Sequence, residues 1–220
     1  MFDRDALPRV LPFLVYMFFV FLDDMLGRLG WQAHELRHLY AVKIGAVLAL
    51  LLAYRRRYTE LATWTLGAGG VLAAALAGVV VLVLWINLNA GWMSVGAAAG
   101  FDPRTDGAID WLMVAVRIAG AALVVPVMEE LFWRSFLMRW IDTPDFLAAS
   151  PARVKARGFV VAVILFGFEH NLWLAGIVAG AVYSILYMRS QSLWSPIVAH
   201  GVTNGLLGGW IVSTGHWTYW

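Results

Sequence analysis

Long apolar runs separated by short charged connections are the feature that most restricts what this chain can become. Seven such segments lie near residues 8–27, 39–54, 61–87, 109–140, 158–171, 172–188 and 193–213. Of the 220 residues, 61% are hydrophobic and 14% charged, against about 45–50% and about 25% in a soluble domain. Surface that apolar is stable in lipid and not in water. The expected fold is an all-α, polytopic transmembrane helical bundle of about seven to eight membrane helices, forming one integral membrane domain over 1–220. The fifth segment is short for a span of roughly 17–25 residues, so it is tilted or meets the sixth near Trp173. No polar stretch is long enough for a separate soluble domain. The first apolar run lacks a small-residue cleavage site and is followed directly by Asp23 and Asp24, so no cleavable signal peptide is expected. Cysteine is absent, which excludes disulfides, cysteine nucleophiles and thiolate metal sites.

The net charge is only +2, and its placement says more than its size. If the segments alternate, Arg4, Arg9, Arg55, Arg56, Arg57, Arg139, Arg153, Lys155, Arg157 and Arg189 share one side, while Arg28, Arg37 and Arg104 fall on the other. Basic residues gather on the cytoplasmic side, so the N-terminus is expected inside a cytoplasmic membrane. Trp31, Trp85, Trp92, Trp111, Trp173 and Trp217 sit near the outer ends. Trp64, Trp140 and Trp194 sit near the inner ones, as an aromatic belt would place them. Gly176 and Gly180, then Gly201, Gly205 and Gly209, recur every four residues. That spacing predicts close helix packing and says nothing about chemistry. The expected partners are the bilayer and a membrane-associated protein or peptide, with no nucleic acid; the oligomeric state is open.

A charged side chain at the centre of a membrane helix costs roughly 2.5–3.5 kcal/mol on insertion scales, so each one needs a role or a partner. Glu129, Glu130 and Arg134 form E-E-x-x-x-R in the fourth segment. Glu130 and Arg134, four apart with the acid first, suit a helix ion pair. Glu129 points about 100° away and is not satisfied by that pair. Phe166 and His170 form F-x-x-x-H, with Glu169 beside the histidine as a lining residue or ion-pair partner. His200 and Asn204 form H-x-x-x-N and share one helix face. Each motif alone has a bland structural reading: a Glu–Arg bridge, a packed histidine, an interhelical hydrogen bond. Their depths agree, however. At about 1.5 Å per residue, Glu129, His170 and Asn204 each lie roughly 15–18 Å from the inner ends of their helices, and His200 roughly 10 Å. Expensive groups from three segments in one slab predict a shared site.

A competing motif precedes them. His34, Glu35 and His38 read H-E-x-x-H, the zincin pattern of two metal-binding histidines and a glutamate base. It falls in the connection between the first two segments instead of inside a span, which is a poor setting for an intramembrane metal site.

The set E-E-x-x-x-R, F-x-x-x-H and H-x-x-x-N, in this order on successive apolar segments, resembles the CAAX protease and bacteriocin-processing (CPBP) family of intramembrane proteases, which includes the type II CAAX prenyl endopeptidases. The match covers 109–212, making that stretch a catalytic core preceded by N-terminal helices in 1–107. The layout also resembles small bacterial CAAX-protease-like proteins associated with PEP-CTERM/exosortase systems. The resemblance implies an endopeptidase in which Glu129 activates water, His170 helps hold it, and His200 with Asn204 stabilises the oxyanion. Glu130 and Arg134 would support the site and Phe166 would pack its wall. It implies no cofactor, or alternatively zinc on Glu129, His170 and His200. Nothing reads as a prenyl-binding feature, and a bacterial inner-membrane substrate is expected. The alternatives are a non-catalytic peptide-binding, immunity or scaffold protein, a zinc protease, and a proton or ion carrier.

Overall fold

A computed structural model describes residues 4–96, 100–105 and 107–220. In lipid every backbone polar group must be satisfied within the protein, and the chain meets that demand almost entirely with helices. These are α1 (Leu7–Arg28), α2 (Leu39–Ala53), α3 (Ala68–Asn87), α4 (Trp111–Trp140), α5 (Ala156–Phe168), α6 (Trp173–Ser190) and α7 (Trp194–Thr214). A single turn, Ala33–Leu36, precedes α2. The one sheet among the described residues is a two-stranded hairpin, β1 (Arg104–Thr105) with β2 (Ala108–Ile109), which leads into α4. Asp110 then caps α4 by accepting a hydrogen bond from the Met113 amide at 3.1 Å.

All seven apolar segments are helical, and among the described residues five helical stretches are long and apolar enough to cross a membrane: α1, His34–Ala53, α3, α4 and α6. The short fifth helix has 13 residues, and α6 does begin at Trp173. Helix α7 has 21 residues but is diluted by Ser195, His200, Thr203 and Asn204. It can afford them because it is central, packing on α3, α4 and α6.

One boundary differs from expectation. The third segment was expected from residue 61, yet α3 starts at Ala68, after a 3-10 turn at Thr59–Leu61. Two indoles take up the carbonyls between: Trp194 donates to Thr63 O at 3.0 Å and Trp64 to Leu66 O at 2.7 Å. Those carbonyls therefore do not need a helix. The paired rings Trp64 and Trp194, 5.1 Å apart, mark one end of the bundle, and Trp92 with Trp173, 6.5 Å apart, the other. Trp85 turns inward instead, against His170.

Small residues set the helix spacing. A Cβ on Gly176 would lie 3.0 Å from the Gly167 Cα, and one on Gly201 would lie 2.8 Å from the Ala122 carbonyl oxygen. The expected row fails at its end, because Gly209 faces open space, while Gly208 is the close neighbour of Ile118, at 2.8 Å.

Four connected residues tie one end together. Arg9 of α1 donates to Glu60 through Nε at 2.8 Å and Nη2 at 2.5 Å. Ser135 of α4 also donates to Glu60, and Arg139 donates to Ser135 Oγ at 2.8 Å. The start of α1, the α2–α3 connection and the end of α4 therefore lie at the same end, as alternating spans require. Burial pushes the Glu60 carboxyl up, but hydrogen bonds from Arg9 and Ser135 and the charge of Arg9 outweigh it and hold the group below the usual carboxylate range.

Candidate active site

The site is organised by an irregularity in α4. Two π-helical stretches, Gly120–Val124 and Leu131–Leu137, flank the short α-helical piece Val125–Glu130 that carries both acids. Such bulges concentrate at functional sites because they rotate the residues that follow. Their sequence cause is visible at the first one. Val125 bonds back five residues to the Gly120 carbonyl; the next bond of that series would run from residue 126 to Ala121. Residue 126 is proline and has no N–H. The orphaned Ala121 carbonyl is taken across the helix interface by Asn204 Nδ2 at 2.9 Å.

Glu130 lies behind the cavity wall, fully buried. Its Oε1 accepts from Arg134 Nη1 at 3.1 Å and from His200 Nδ1 at 3.0 Å. The i,i+4 pair read from the sequence is present, and the same acid also anchors a histidine from α7. Arg134 lies 4.2 Å over the Phe166 ring and contacts the Gly180 carbonyl at 3.4 Å. His200 is held flat against Tyr183, with centroids 4.9 Å apart at 20°. Tyr183 in turn donates to Thr203 Oγ1 at 2.8 Å.

Glu129 differs from its neighbour. Both acids are buried and leave Oε2 without a hydrogen-bond partner, but Glu130 has two donors on Oε1 and Glu129 has no comparable pair. It faces a cavity of about 710 Å³ that is also lined by Phe166, Glu169, His170, His200 and Asn204. His170 sits just beyond the end of α5, where its Nδ1 is 2.8 Å from the Phe166 carbonyl. A carbonyl only accepts, so Nδ1 carries a proton, and in the neutral ring Nε2 keeps its lone pair. Phe166 therefore supplies a backbone anchor for His170 as well as packing.

Glu130 and Arg134 support this wall from behind. Sequence reasoning left Glu169 undecided between lining and ion pairing. It lines the cavity and its Oε2 accepts from Trp133 Nε1 at 3.1 Å. Tyr183, Thr203 and Trp133 were missed altogether. They carry no charge and their aromatic or hydroxyl chemistry is unremarked in a membrane helix, so only their contacts reveal them.

Among the described residues, no three His, Asp or Glu side chains are grouped so as to hold a metal ion, neither Glu129, His170 and His200 nor His34, Glu35 and His38. In the second set the physical reason is local. The turn stops at Leu36, and Glu35 is used as a capping residue whose Oε2 accepts from the Gln32 amide at 2.7 Å. His34 and His38 are exposed.

Fold and cavity together define a multi-pass helical membrane protein with a chamber whose lining includes carboxylates and imidazoles. Residues 111–206 match the family model described as type II CAAX prenyl endopeptidase Rce1-like. That stretch runs from α4 into α7, includes Glu129, Glu130, Arg134, Phe166, His170, His200 and Asn204, and is what the chain shares with this CAAX-protease family. No curated protein and no solved structure matches it.

Proposed function

We propose that the chain is an intramembrane endopeptidase that hydrolyses a peptide bond of a membrane-associated protein or peptide with water activated by Glu129. The observation that carries this reading is that Glu129, whose buried Oε2 has no hydrogen-bond partner, lines one cavity with His170, His200 and Asn204. Two acceptors suit the two hydrogens of a water molecule: the Glu129 carboxylate and His170 Nε2. Held between them, the water presents its oxygen lone pair to a carbonyl carbon, and Glu129 takes the proton as the bond forms. The oxyanion then needs donors. Glu130 holds the His200 ring through Nδ1 at 3.0 Å, which leaves its Nε2 edge as the first donor position. The second Nδ2 hydrogen of Asn204 is the other, since its first is committed to Ala121. Glu129 finally passes its proton to the leaving amine.

The inward-facing basic end and the N-terminus are assigned to the cytoplasm of a bacterial inner membrane, on the charge asymmetry. The test is turnover of membrane-spanning fluorogenic peptides by the purified chain in detergent. Wild type cleaves, and Glu129→Gln and His200→Ala reduce the rate by about 10²–10⁴. Equal rates in wild type and Glu129→Gln reject the reading. A second reading, a peptide-binding protein without turnover, is favoured by the commitment of the Asn204 amide to a backbone carbonyl. Stoichiometric binding with no product would establish it.

A further inference from the structure

The cavity continues past the proposed catalytic groups toward the Trp111 end of α4, where its wall carries Lys43 of α2 and Arg117 of α4, with Tyr16 and Tyr40. Lys43 Nζ is 4.1 Å from the Tyr16 ring centroid and 5.1 Å from that of Tyr40. The Arg117 guanidinium is 4.6 Å over Tyr40 and 4.4 Å over Phe101. Ring faces attract a cation but do not accept its directed N–H bonds in the way an oxygen does. Among the described residues, neither side chain has a carboxylate within ion-pair distance. Asp23 of α1 acts on both through space, but it is exposed and is not part of the cavity wall. Two half-buried cations therefore face this end of the chamber with aromatic walls and several N–H donors, and the chamber's own acids, Glu129 and Glu169, are not within ion-pair distance of either. Intramembrane charges are costly enough that such a pair marks a ligand path.

We infer that Lys43 and Arg117 form a carboxylate-binding subsite for the peptide that enters the cavity, an inference that rests on the protease reading for what the peptide then undergoes. The subsite sets specificity by distance. Arg117 and Glu129 are separated by 12 residues of α4 (129 − 117), roughly 18 Å at about 1.5 Å per residue. An extended peptide covers that in about five residues at about 3.3 Å each. The carboxylate, from an acidic side chain or a free C-terminus, therefore lies about five residues from the cleaved bond, on the side toward the Trp111 end.

The probe is a fluorescent membrane-spanning peptide bearing one Asp about five residues from its centre, compared with its Asn counterpart. A second pair carries a C-terminal acid or amide at the same spacing. Binding is measured on the full chain with Glu129→Gln in phosphatidylcholine nanodiscs. At least one acidic peptide binds roughly tenfold or more tightly than its neutral twin, and which pair shows it identifies the source of the carboxylate. Lys43→Gln with Arg117→Gln removes the preference, while Arg117→Lys keeps part of it. If the double variant does not fold, the acid-to-neutral comparison in the parent still decides. Equal binding within both pairs overturns the inference, as does loss of the preference when phosphatidylglycerol is added, which would make this a lipid-phosphate site. Charge preference in binding without product in the wild-type chain rejects the protease reading and not the subsite. Equal cleavage of acidic and neutral peptides rejects the subsite and not the protease.

Discussion

Glu129 and Glu130 are chemically identical neighbours, and the structure predicts opposite consequences when each loses its charge. Glu130 has no exposed surface and receives hydrogen bonds from Arg134 at 3.1 Å and His200 at 3.0 Å. Its removal by Glu130→Ala strands the buried Arg134, whose remaining polar contact is the Gly180 carbonyl at 3.4 Å. Breaking a buried pair by deleting one partner costs about 3–5 kcal/mol. Glu130→Gln keeps the volume and one acceptor, so it loses only charge assistance, about 1–3 kcal/mol. Glu129 makes no comparable bonds: Oε2 is unpartnered in both acids, and only Glu130 has donors from Arg134 and His200 on Oε1. Glu129→Gln removes a buried charge without orphaning anything, and stability changes by less than about 0.5 kcal/mol or rises. Tryptophan fluorescence during thermal unfolding in detergent reads this through the 12 tryptophans. The expected order of midpoints is Glu129→Gln at or above wild type, Glu130→Gln lower, and Glu130→Ala lowest, by roughly 10 °C. Peptide cleavage is lost in all three. The reasoning fails if Glu130→Ala melts with wild type, or if Glu129→Gln is the variant that unfolds.

The proline-orphaned carbonyl makes a double-mutant prediction. Asn204→Ala leaves Ala121 O unpaired, costing about 1–3 kcal/mol. Adding Pro126→Ala restores an N–H within the helix, so the pair should be more stable than the sum of the singles, and strict additivity would refute the account of the π-bulge. Gly201→Ala should sharply reduce folded yield because the new Cβ meets the Ala122 oxygen at 2.8 Å, whereas Gly209→Ala, with nothing near it, should leave yield unchanged. Glu60 provides a pH signature. Its folded-state pKa lies below the ordinary value of 4.5, so its contribution is complete above that value and is lost as pH falls through the folded pKa. Melting temperature should therefore drop below pH 4.5 in wild type more steeply than in Glu60→Gln. Parallel curves would contradict the Arg9, Ser135 and Glu60 network.

Some features needed no coordinates. Apolar runs dictated helices in lipid, since no other open structure satisfies the backbone there, and i,i+4 spacing placed Glu130 with Arg134 and His200 with Asn204 on common faces. Helix rise alone put the three motifs at similar depth. These are local properties, read from periodicity along one helix at a time. The tertiary structure decided everything that depends on which helix meets which. It used Glu35 of the H-E-x-x-H pattern to cap its own turn at the Gln32 amide. It drew Glu130 to His200 across 70 residues, and gave Asn204 a carbonyl that a proline on another helix had set free. It also brought Lys43 and Arg117, which belong to no motif, onto one wall of the chamber that holds Glu129. Interhelical rotation and register set these contacts, through small residues and a π-bulge whose effect on direction a linear pattern does not carry.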